Sequence, residues 1–169
     1  MSITMHSASV PVFVRMLKNL SAILDKAEQH AESRKFDVAV LLGSRLAPDM
    51  LPFTRQVLIA CDSAKFAVSR LSGVDAPSFP DTEKTIAELK ERIAKTIEYV
   101  QSIPPEKVNG TEDKPVSVPI RGTEPLQYTG ESYLKHHALP NFYFHVTTAY
   151  DLLRHNGVQL GKADFLGRA

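Results

Sequence analysis

Four stretches of this chain place apolar residues three or four positions apart, the spacing of amphipathic helices that each have one face to bury. The first runs from Val10 to about Ser33, where Phe13, Val14, Leu17, Leu20, Leu24, Ala27 and Ala31 continue one stripe. Lys18, Asp25, Lys26, Gln29 and Glu32 mostly take the other faces, and Pro11 suits a first turn, where a missing N–H costs little. The second runs from about Pro52 to Leu71, with Phe53, Val57, Ala60, Ala64, Ala67, Val68 and Leu71 in one wedge. Its three alanines predict close approach to a neighbour; Gln56 and Ser63 fall on the wedge's edge, and Gly73 is the expected stop. The third, capped by Asp81 or Thr82, carries the seam Ile86, Leu89, Ile93, Ile97, Val100 and Ile103 and ends at Pro104 and Pro105. Glu83, Lys84, Glu88, Lys90, Glu91, Arg92 and Lys95 read as its solvated face. The fourth lies within "LPNFYFHVTTAYDLLRHNGV", starting near Leu139 or a little earlier and closing at Asn156 and Gly157.

The connections are informative. "DVAVLLGSRLAPDM" reads as a short helical element capped by Asp37 and ended before Pro48; Arg45 and Asp49 are spaced to pair, unless Asp49 caps the next helix. Between the third and fourth helices, Val116–Ile120 and Leu126–Thr129 flank "RGTEP", a hairpin signal. A two-stranded ribbon is marginal alone, so it is expected to lie on the helices. The expected architecture is all-α: one domain over residues 1–169, an up-down four-helix bundle with a small β-hairpin in the crossover between the third and fourth helices. Leu160, Phe165 and Leu166 in the tail require a docking surface, on this subunit or another.

Charge narrows the partners. Twenty basic and nineteen acidic residues leave a net charge of +1, without the basic excess of a duplex-binding domain, so nucleic acid is not an expected partner. No apolar run approaches the ~20 residues of a membrane span, and "MSITMHSASVPVF" lacks the pattern of a secretory signal. The single cysteine, Cys61, cannot form an internal disulfide; it sits in an apolar helical run, as a small buried residue in a reducing compartment would. A cytoplasmic location follows as the expectation.

One residue decides how the chain's chemistry is read. With Phe142 as reference on the fourth helix, Val146, Ala149 and Leu153 share its direction, and His145 lies on the shoulder of that stripe. An inward imidazole has one donor and one acceptor to satisfy, with Gln56, Asp49 or a tyrosine as candidate partners. A metal site needs three or four converging ligands. Four residues after His145 stands Ala149, four before it Asn141, and His136 and His137 are expected in the approach to the helix. There is no HExxH, no CxxC, no glycine-rich phosphate loop and no G-x-S-x-G elbow. Tyr150 is a candidate donor at a helix boundary, and Asp62, opposite the second helix's stripe, is expected in solvent or at an interface.

The segments "SVPVFVRMLKNLSAILDKA", "SRLAPDM" and "LPNFYFHVTTAYDLLRHNGVQLGKADFLG" resemble a bacterial family of unknown function within the DinB/YfiT-like metalloenzyme superfamily. The resemblance covers nearly the whole chain. It implies a four-helix bundle with a long crossover after the third helix, and frequent dimerisation. It also implies a divalent metal held by one histidine of the second helix and an H-x-x-x-H pair of the fourth, with related branches acting as thiol transferases or hydrolases. Here His145 matches the first histidine of the pair, Ala149 replaces the second, and Gln56 is nearest to the second-helix position.

Two functional expectations result. One is a homodimeric small-molecule-binding or scaffold module with a degenerate metal site and no cofactor, its pocket lined by Arg45, Asp49, Gln56, His145 and Tyr150. The other is a metal-dependent hydrolase or thiol transferase in which His145, Gln56 and either Asp49 or Asp62 hold Zn, Ni or Mn.

Overall fold

The structure is a computed structural model and describes residues 2–167; Met1, Arg168 and Ala169, part of the expected domain and tail, lie outside the described residues. In chain order its helices are α1 (Val10–Arg34), α2 (Ala39–Leu42), α3 (Phe53–Ser72), α4 (Ile86–Ser102), α5 (Pro105–Val108), α6 (Gly130–Tyr133), α7 (Leu139–His155) and α8 (Lys162–Leu166). The strands β1 (Pro115–Val118) and β2 (Leu126–Thr129) fall between α5 and α6. Among the described residues no helix is long and apolar enough to cross a membrane.

The four long helices form a bundle in which α1 packs on α4, α4 on α3, α3 on α7 and α7 on α1. Phe13 of α1 meets Phe142 of α7 edge to face at 4.9 Å in the core, and the α3 alanines Ala60, Ala64 and Ala67 are fully buried. Side-chain pairs fix the directions. Gln56 meets His145 while Arg70 meets Tyr133, so α3 and α7 run antiparallel. Arg92 meets Asp62 while Tyr99 meets Val74, so α3 and α4 run in the same direction. His6 before α1 meets Asn109 after α4 while Asp25 meets Lys90, so α1 runs against α4. The succession along the chain is therefore up, down, down, up, not the strict up-down alternation expected. Two parallel consecutive helices need a connection that returns along the whole helix. The thirteen residues between Ser72 and Ile86 supply it: extended, they reach ~43 Å, against about 26 Å for a helix of α4's length.

Local chemistry sets the boundaries, and it corrects the expected cap of α4. Thr85, not Asp81 or Thr82, caps α4: its hydroxyl accepts from the Glu88 N–H, and the Glu88 carboxylate accepts from the Thr85 N–H. Asp81 is engaged elsewhere, by Arg55 and Arg92. The fourth long helix begins earlier than Leu139. Helical geometry runs from Gly130 through a π-helical turn at Leu134–Ala138 into α7, so the approach that carries His136 and His137 is itself helical. Pro140 explains the wide turn: it lacks an N–H, and its ring crowds the carbonyl four residues back, which a locally widened helix relieves.

The hairpin pairs Val116 with Tyr128 and Val118 with Leu126, and it buries Val116 and Val118. Its first strand ends at Val118 rather than Ile120, because Pro119 has no N–H for the ladder. Gly130 lets the hairpin's exit pass close to the backbone before it, since a Cβ there would lie 1.9 Å from the Thr111 carbonyl oxygen. The tail docks on its own subunit. Asn19 of α1 donates to the Phe165 carbonyl at 2.9 Å, Lys26 pairs with Asp164 at 2.6 Å, and Leu160 is buried, whereas Leu166, also expected to dock, stays exposed.

Candidate functional site

Gln56 stands in the first turn of α3, 2% exposed. Its Nε2 donates to the Leu51 carbonyl at 3.0 Å. A carbonyl only accepts, so this bond fixes which way the amide faces and turns Oε1 towards His145 Nδ1, 2.8 Å away across the α3–α7 contact. The proton of His145 therefore sits on Nδ1, and Nε2 carries the lone pair. Nε2 makes no hydrogen bond within the described chain and is not among its buried orphan atoms, so it opens to solvent. Burial holds the imidazole's pKa below its ordinary value, which keeps it neutral.

One turn before His145, Asn141 Nδ2 donates to Ser63 Oγ at 2.8 Å, so the two polar residues on the edge of the α3 stripe both find partners on α7. Asn141 and Ser63 border a hollow of about 300 Å³ enclosed by α3, the end of β1 and the helical turns that lead into α7; Gln56 and His145, expected in the pocket, do not line it. Its apolar walls include Ile59, Phe66 and Ile120; Arg70 and His137 stand at its far end. Sequence reasoning missed these two. The i, i+4, i+8 spacing of His137, Asn141 and His145 was the available signal for His137, and it counts only because the approach to α7 is itself helical.

The other expected pocket residues are dispersed. Arg45 does not pair with Asp49; its Nη1 donates to the Met50 carbonyl. Tyr150 packs edge to face on Phe165 at 5.9 Å and lines a separate hollow with Thr147, Asp151 and Lys162. Asp62 is neither free in solvent nor beside His145: it pairs with Lys65 at 2.9 Å and Arg92 at 3.0 Å.

Arg92, expected on a solvated face, is 3% exposed. Its Nη1 donates to Glu83 at 3.0 Å, its Nη2 to Asp62 and, at 3.3 Å, to Asp81, and its guanidinium lies over the Phe79 ring at 5.0 Å. Phe79, Asp81 and Glu83 belong to the return loop between α3 and α4, so this cluster pins that loop to the bundle. Cys61 beside it is fully buried, and burial pushes its thiol up to about 12.

Among the described residues no group of three or more His, Cys, Asp or Glu side chains is arranged to hold a metal ion; the three carboxylates that meet do so around the Arg92 guanidinium. The Gln56 oxygen is occupied by the His145 N–H, and the position four after His145 is Ala149. One imidazole lone pair does not make a three- or four-ligand site, so these residues do not fit the superfamily's metal.

Residues 5–166 match the model of a domain of unknown function, DUF1993. The chain belongs to the DUF1993 family. A crystal structure of a DinB family member protein from Shewanella denitrificans is similar at a TM-score of 0.87 and 45% identity, covering 97% of this chain and 92% of that one. No curated protein matches. This DUF1993 chain thus has a DinB-like fold, with an oriented neutral imidazole where the resemblance expected the first histidine of a metal-binding pair.

Proposed function

We propose that this DUF1993 protein is a small-molecule-binding module, with its ligand in the hollow that Ser63 and Asn141 border and His145 Nε2, one turn beyond Asn141 on α7, as a fixed acceptor outside that hollow. The observation that supports this is the Leu51–Gln56–His145 chain of hydrogen bonds, which sets the tautomer and aims the free lone pair outwards. A neutral, pre-oriented imidazole accepts from a ligand O–H or N–H without first being ordered. Grooves between bundle helices are common ligand sites.

The competing reading, a hydrolase or thiol transferase using Zn, Ni or Mn, takes support from the same bond, because ligating histidines usually donate their other ring N–H to an oxygen. It lacks two strong donors. Metal analysis of untagged protein separates the two. A stoichiometric metal that disappears in His145→Ala would overturn the binding-module reading. Metal-free protein whose His145 imidazole resonances move when a fragment library is added would support it. A homodimer and a cytoplasmic location complete the proposal; light scattering and cell fractionation test them.

A further inference from the structure

We propose that the Arg70 end of the groove binds the carboxylate of a small molecule whose apolar body lies along the hollow. This rests on the reading that the groove takes a small molecule, and it adds the ligand's chemical class.

Arg70 is half-buried on α3, in an aromatic frame. Its guanidinium carbon lies 5.3 Å from the centre of the Phe66 ring and 5.7 Å from that of Tyr133, and its Nη1 donates to the Tyr133 hydroxyl at 3.0 Å. Among the described residues no carboxylate pairs with it, whereas the guanidinium of Arg92 meets three. A guanidinium has five N–H donors; one here is engaged, and it is engaged by a neutral group. The frame removes much of the freedom that a long cationic side chain ordinarily loses on binding, and the planar fork suits two parallel bonds to one carboxylate.

The rest of the hollow fits such a ligand. Ile59, Phe66, Val118 and Ile120 give it apolar sides, and its volume of about 300 Å³ lies at the small end for ligand sites. Asp62 also borders it, but Lys65 and Arg92 neutralise that carboxylate, which limits its repulsion of an incoming anion. His137 stacks on Tyr133 at 5.6 Å. Burial, and then the charge of Arg70, hold its imidazole below the ordinary range.

The test titrates benzoate, phenylacetate and hexanoate, each beside its amide, into the full chain in a carboxylate-free buffer. Calorimetry reads affinity, and backbone amide shifts at Ile59, Phe66 and Asn141 read location. At least one acid is expected to bind about tenfold more tightly than its amide, the scale of a hydrogen bond to a charged group. Arg70→Gln is expected to erase that difference and Arg70→Lys to keep part of it. The acid-against-amide comparison uses unaltered protein, so it stands even if a variant misfolds. Acids and amides binding the groove equally would overturn the carboxylate assignment and leave the binding-module reading intact. An acid preference that survives Arg70→Gln would overturn it too, by placing the anion elsewhere. If neither acids nor amides bind in the groove, both readings fail.

Discussion

Gln56 and His145 lie 89 residues apart in the chain and share a 2.8 Å hydrogen bond that ties the first turn of α3 to α7. Gln56→Leu orphans the His145 N–H and the Leu51 carbonyl, and is expected to cost about 1–3 kcal/mol. In a double-mutant cycle with His145→Leu, the coupling is expected within ~0.5–3 kcal/mol, read by urea denaturation. Nitrogen shifts of the imidazole are expected to report the Nδ1–H tautomer in the parent protein. An Nε2–H tautomer would refute the clamp.

Histidine burial sets one part of the pH response. The folded pKa values of His145 and His137 both lie below the ordinary 6.5. Between each folded value and 6.5 the unfolded chain holds more protons, so stability rises with pH there. The full contribution is present above about 6.5; it falls as pH drops below that value and levels off below the folded pKa values. Asp81, held under its ordinary 3.8 chiefly by the hydrogen bond from Arg55, acts in a separate, more acidic window. Melting curves between pH 7 and pH 5 are expected to show a decline that His145→Ala reduces.

Arg92 carries the return loop. Removing it leaves Asp62, Asp81 and Glu83 without their shared cation, and Glu83 Oε2 is already an unpartnered buried atom. Arg92→Met is expected to cost about 3 kcal/mol, the lower end for a broken buried ion pair because two of the three carboxylates are partly solvated. Hydrogen exchange over residues 73–85 is expected to quicken. Arg92→Lys is expected to rescue little, since a single ammonium does not reproduce the fork.

Cys61 is expected to be inert in the folded protein. Its thiol is fully buried and pushed up to about 12, so almost no thiolate exists at pH 8. A disulfide reagent such as Ellman's is expected to react only after denaturant is added. Rapid labelling of native protein would refute that burial.

Gly130→Ala tests the hairpin's attachment. A Cβ at that position would collide with the Thr111 carbonyl oxygen at 1.9 Å, and backbone has to move to relieve the clash. A cost of about 1–3 kcal/mol is expected, in the range of overpacked cores. Gly122→Ala is the comparison: no atom stands within 4 Å of a Cβ there, so any cost arises from its positive φ of 79° alone.

The amino-acid sequence determined the four helices, the hairpin and the place of His145 on the shoulder of the α7 stripe, where it is half-buried, because apolar spacing, prolines and glycines act over a few residues. Phe142, Val146, Ala149 and Leu153 define one face of α7 whatever they pack against. Tertiary structure alone decided the parallel run of α3 and α4, and with it the fate of Arg92. In sequence Arg92 is one charge among many on a helix; only the returning loop brings Asp81, Glu83 and Phe79 over it and shuts out water. The same holds for the site. Which partner would take the His145 N–H, and that Arg70 would meet Tyr133 and, among the described residues, no carboxylate, depend on contacts between residues 63 to 89 positions apart, where no local pattern reaches.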